Sequence, residues 1–233
     1  MGHFAPGAAR PNATLPSEDD AARRARARGA AGVEANARLT GMTAVALLVL
    51  LAAEGLTILR IWPLLSVHVF IGMLLVPPVL LKIGSTFYRF ARYYSGHPAY
   101  RRKGPPPALL RLLGPVVVLL SVSVLATGIW LLFASPSLRS TVLFLHKASF
   151  VLWFIAMTVH VLGHIVETTR LAPRDFYART RRQVRGAGLR QWTLAAALAV
   201  GFLLGSLLIN RAATYRNAVN PPHPAAALGV KGR

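Results

Sequence analysis

The chain has 233 residues, 54% of them hydrophobic, a formal net charge of +20 and no cysteine. That composition excludes an ordinary soluble domain and points to membrane spans. The missing cysteines exclude a disulfide, an iron–sulfur cluster held by thiolates and a C-x-x-C-H haem attachment.

Five stretches approach the ~20 apolar residues that a bilayer core demands: 39–59, 64–86, 108–133, 142–166 and 191–209. None shows the two-residue alternation of a barrel strand, and only helices or closed barrels satisfy their backbone in lipid. The expected fold is an all-α membrane protein, with a four-helix bundle at 39–168 and a fifth transmembrane helix at 191–209. The first 38 residues mix acidic and basic groups with Ala, Gly and Pro and have no signal-peptide pattern. They read as a disordered tail. Helix one, LTGMTAVALLVLLAAEGLTIL, carries Glu54 near its far end, either as a proton or quinone contact or as a partner for Arg60. Helix two returns through Pro77-Pro78, where a kink is expected, and ends in the aromatic and basic STFYRFARYY, suited to a membrane interface. The Pro- and Gly-rich SGHPAYRRKGPPP ends that helix. Helix three carries the small residues Ser121, Ser123 and Gly128, and helix five a G-x-x-x-G packing motif at Gly201 and Gly205. Residues 169–190 read as a basic loop and 210–233 as a disordered tail.

Basic residues gather in the N-terminal tail, at 87–111 and at 167–190, whereas the loops 60–63 and 134–141 carry only Arg60 and Arg139. The positive-inside rule therefore puts the N-terminus in the cytoplasm of a bacterial plasma membrane and the C-terminus outside. Arginine-rich runs at 23–28 and 179–182 invite a nucleic-acid reading. Their position beside the spans favours anionic lipids as the partner, and no nucleic acid is expected.

Four histidines lie inside apolar stretches, His164 at the very end of one and His68, His146 and His160 deeper within them. An ionisable side chain at membrane depth is costly enough to suggest a functional site. His146 and His160 are fourteen residues apart, so they share one helix face about 21 Å apart, a spacing that suits one axial ligand for each of two stacked haems. Helices two and four run in the same direction, and His68 and His146 both fall about 6–9 Å below the outer boundary. They are the expected ligand pair of one haem b. Gly72 and Gly128 would make room for the macrocycle, and Arg60, Arg139 and Lys147 would neutralise its propionates. His160 would serve a second haem on the inner side, for which Met42, Lys82 and His97 are the only nearby candidate partners.

A histidine on helix two with two histidines fourteen apart on helix four resembles the bacterial cytochrome b561 family and related b-type subunits of membrane dehydrogenases, over about 39–168. The resemblance implies His68 and His146 as ligands of one haem, His160 as a ligand of the other, and electron transfer between a quinone and a redox partner subunit. The helix-one histidine of that pattern is absent here, so one tightly held haem is expected and two are the upper bound. Two other readings accompany this one. The chain would be a cofactor-free anchor or assembly subunit, its histidines serving interhelical hydrogen bonds. Alternatively His160, His164 and Glu167, on one helix face, would bind a divalent metal; H-V-L-G-H lacks the glutamate of the H-E-x-x-H hydrolase motif. Trp130, Trp153, Phe150 and Phe154 read as packing and interface aromatics.

Overall fold

The computed structural model describes residues 17–104, 108–171 and 186–219, with side chains except at 103, 108–110 and 164–171. Its elements are α1 (Glu18–Ile58), α2 (Ile61–Tyr94), α3 (Pro98–Lys103), α4 (Ala108–Leu131), α5 (Pro136–Leu171) and α6 (Ala187–Val219). There is no strand among the described residues. Five of the helices are long and apolar enough to cross a membrane. The protein is an all-α, multi-pass membrane protein. Its large apolar side chains, among them Leu48, Leu119, Phe144 and Leu203, lie exposed on the outside, as lipid rather than water requires.

The helices outrun their apolar cores. α1 starts at Glu18, so the part of the expected disordered tail from 18 to 38 is instead helical. Its composition explains this: Ala and Arg dominate and both favour helix. Ser17 caps the start by accepting from the Asp20 backbone amide at 3.2 Å, and Glu18, Asp19 and Asp20 face the positive end of the helix dipole. α2 stays helical through Pro77 and Pro78. It then stops in a Schellman motif, in which the His97 amide donates to the Arg92 carbonyl and the Gly96 amide to that of Tyr93. Gly96 takes φ 82°, which only glycine adopts readily. Pro98 opens α3 immediately afterwards. The tail expected to be disordered from 210 is helical to Val219, beyond which it lies outside the described residues.

Packing is antiparallel and pairwise. α1 lies along α2: Asn36 donates to the Ser85 carbonyl, and Lys82 donates to the Thr40 carbonyl at 3.1 Å. α4 lies along α5, its register held by a buried hydrogen bond from Trp153 Nε1 to Ser121 Oγ at 2.9 Å. α6 packs on α2 most extensively of all. The fifth helix is thus integral to the bundle rather than outside a four-helix core. The two glycines of its G-x-x-x-G motif make the close approach possible: a Cβ on Gly201 would fall 2.5 Å from the Leu74 carbonyl oxygen, and one on Gly205 would fall 2.7 Å from the Phe70 ring. The α1/α2 and α4/α5 pairs then meet across a short polar seam.

Candidate functional site

That seam is built around His68 and His146. α2 carries His68 two turns from its start and α5 carries His146. The bundle brings their rings to a centroid separation of 6.4 Å, with planes at 82°. α1 supplies two groups to His68: Glu54 Oε1 lies 3.1 Å from His68 Nδ1 and Thr57 Oγ1 lies 2.8 Å from it. The His68 and Glu54 side chains are only 20% and 15% exposed. α4 does the same for His146, whose Nδ1 is 3.1 Å from the Val124 carbonyl oxygen and 3.2 Å from Thr127 Oγ1.

These partners determine the tautomers. Thr57 donates its own hydroxyl proton to the Glu54 carbonyl, so toward His68 it offers a lone pair. Val124 can offer only a carbonyl oxygen, and Thr127 donates its proton to the Ser123 carbonyl at 2.7 Å. Each imidazole therefore carries its proton on Nδ1 and keeps the lone pair of Nε2 for another use. A histidine that ligates a metal through one nitrogen commonly donates its other N–H to a carboxylate, carbonyl or similar acceptor. Both rings are arranged this way.

The spacing agrees with the donor set. An imidazole nitrogen bonds a transition metal at about 2.0–2.1 Å and lies about 1.1 Å from its ring centre, so rings whose centroids are 6.4 Å apart are within reach of one shared metal ion. The residues present fit a bis-imidazole group such as a haem.

The other expected site residues divide. Gly128 does not stand open for a macrocycle: a Cβ there would fall 3.0 Å from His146 Cε1, so this glycine lets the imidazole lie against α4. Gly72 similarly faces Glu54 Oε1, 3.4 Å from where its Cβ would be. Arg60 is exposed at the start of α2, and Lys147 is exposed on α5. Neither is hydrogen-bonded to the histidine pair. Arg139 stacks over Tyr215 with its guanidinium 5.4 Å from the ring centre. Two arginines that the sequence reading passed over, Arg211 and Arg216, join it at that end, because α6 runs on past its apolar core. Glu54 pairs with His68 rather than with Arg60.

His160 is half-buried on α5, away from His68. Of its candidate partners, Met42 is buried in α1, Lys82 is engaged by the Thr40 carbonyl, and His97 sits at the start of α3. The side chains of His164 and Glu167 lie outside the described residues, and no cluster of three or more metal-ligating side chains occurs among the described ones. The sequence reading missed Thr57, Thr127 and the Val124 carbonyl altogether. Threonines in apolar helices are common, and only the packing of α1 on α2 and of α4 on α5 distinguishes these.

No family model, curated protein or solved structure matches the chain.

Proposed function

We propose that the protein is a b-type cytochrome in which His68 and His146 hold one haem through their Nε2 atoms. It would carry electrons between a quinone or other donor and a partner redox protein. The observation that carries this reading is the matched state of the two rings: both Nδ1 protons are directed to fixed acceptors, and the centroids are 6.4 Å apart. Structural histidines need only be satisfied, with no requirement to lie at this spacing.

When bound, the haem supplies reversible one-electron chemistry. The protein's part is to donate two neutral imidazoles and hold their orientation. Glu54 and Thr57 fix the His68 ring from α1, and Thr127 with the Val124 carbonyl fixes the His146 ring from α4. The apolar helices around them provide a low dielectric and exclude water. The charge distribution supports a bacterial plasma membrane orientation with the N-terminus cytoplasmic, which puts this pair near the outer surface. A second haem at His160 is not part of the proposal, because helix one lacks the histidine that the b561 pattern pairs with it.

The test is optical. Purified protein should show a Soret band and a sharp reduced α-band, with one haem per chain by haemochrome quantitation against protein mass. His68→Ala and His146→Ala should each abolish the same low-spin signal. A colourless wild-type protein, or a full bis-histidine spectrum in either variant, overturns the reading. Colourless protein would leave a cofactor-free anchor, and a ratio of two haems per chain would require a ligand for His160.

A further inference from the structure

At the opposite end of the bundle from the histidine pair, α1, the end of α2 and α3 line an open cavity of about 420 Å³. This is within the size range of small-ligand sites. The Schellman motif at Gly96 turns the chain so that α3 comes back over α1, and Gly29 permits the contact: a Cβ there would lie 3.0 Å from Ala99 Cβ. One turn on, a Cβ at Gly32 would meet nothing within 4 Å, so that glycine leaves the cavity open. The lining is cationic and aromatic: Arg28, Arg92, His97, Tyr88 and Tyr100, with no carboxylate. Glu34, in the neighbouring hollow, is paired with Arg38 at 3.0 Å.

Two lining residues have buried nitrogens with no hydrogen-bond partner, Arg92 Nε and His97 Nδ1. Buried polar groups are seldom left so, and a missing acceptor is the usual remedy. Arg92 is held over the Tyr88 ring at 5.9 Å, which presents its guanidinium in a fixed pose. Tyr100 is buried with its hydroxyl hydrogen-bonded to Tyr88, and burial, with that neighbour, pushes its pKa further above the usual tyrosine value, so its phenol stays protonated beside the arginines. Guanidinium, imidazole and phenol donors around one space, with no competing anion, match a phosphate group, whose several oxygens accept from all of them.

We infer that this cavity is a phosphate-binding site, taking either the headgroup phosphate of an anionic phospholipid or a soluble phosphorylated compound. Depth admits both sources. Arg92 lies six residues past the apolar part of α2, or about 9 Å at 1.5 Å per residue, at the level of the headgroup layer.

The experiment uses the full chain. Native mass spectrometry from phosphatidylcholine nanodiscs with and without phosphatidic acid reads the lipid arm. Thermal-shift titration with inorganic pyrophosphate against chloride at equal ionic strength reads the soluble arm. Saturable binding in either arm is expected and names the source. Arg28→Gln and Arg92→Gln should each weaken it about tenfold, the scale of one lost charged hydrogen bond. Arg23→Gln removes the same charge from an exposed position outside the cavity, and should change affinity by less than about twofold. Gly32→Leu fills the open space at constant charge and should weaken binding at least as much. If Arg92→Gln does not fold, Arg92→Lys with His97→Gln takes its place. Equal loss in Arg23→Gln, unchanged binding in Gly32→Leu, or binding in neither arm overturns the inference.

Discussion

Glu54 shows how one residue's role depends on its neighbour across the bundle. Near the end of an apolar helix, six residues before an arginine, it reads equally as a proton or quinone contact and as an ion-pair partner for Arg60. In the fold, its carboxylate lies 3.1 Å from His68 Nδ1 and Gly72 leaves room for it. If His68 ligates a metal, Glu54 orients the ring and increases its basicity, a contribution whose loss typically costs about 10–100-fold in metal affinity. Glu54→Leu is therefore expected to lower haem retention by about that factor, and Glu54→Gln by much less, because an amide oxygen still accepts from Nδ1. Haem titration of the apoprotein checks this. Equal affinity in Glu54→Leu and wild type would show that Thr57 alone holds the ring. His146 permits no matching experiment, since its acceptor includes the Val124 carbonyl, which substitution does not remove.

At the scale of the helices, the G-x-x-x-G motif of α6 shows how local composition becomes architecture. Leu74 and Phe70 are one turn apart on α2, and the two glycines, one turn apart on α6, receive them. Between apolar helices in lipid, such close van der Waals packing is a main source of association. A leucine at Gly201 must displace backbone, not merely a flexible side chain, because the nearest atoms belong to Leu74. Gly201→Leu should cost at least about 1–3 kcal/mol, the range found when packed interiors are overfilled. The expected result is a lowered thermal midpoint in detergent, while Gly188→Leu, at a position whose Cβ would meet nothing within 4 Å, should leave it nearly unchanged. Equal midpoints in the two variants would mean that α6 associates by another face.

For the molecule as a whole, the five candidate spans carry an uneven distribution of charge between their two ends. Arg23, Arg24, Arg26, Arg28, Arg89, Arg92 and Arg101 lie at one end of the bundle, against Arg60, Arg139, Arg211 and Arg216 at the other. The asymmetry remains after the helical extension of α6 adds two arginines to the sparser end. A reporter fused after Val219 should read extracytoplasmic and one inserted in the 172–185 segment cytoplasmic. The reverse pattern would invert the bundle and put the histidine pair at the inner surface; both reporters on one side would mean that α6 does not cross.

Hydropathy and spacing alone determined the helical membrane class, the number of spans and the histidines worth asking about. These properties are legible because lipid imposes them locally: each segment must be long, apolar and internally hydrogen-bonded whatever its neighbours do. Helix ends were misjudged where capping and helix propensity, rather than apolarity, decide the boundary, as at Glu18 and Val219. Tertiary structure alone decided which side chains meet. Thr57 comes to His68, Val124 to His146, and His68 to His146, through contacts spanning 11, 22 and 78 positions of sequence. Such pairings depend on how each helix is rotated and aligned against the next, and a one-residue rotation of about 100° would redirect every one of them. The rotation is set by Gly128 under His146, by Gly201 and Gly205 under α2, and by the Trp153–Ser121 bond, none of which lies in the apolar pattern that announces the spans.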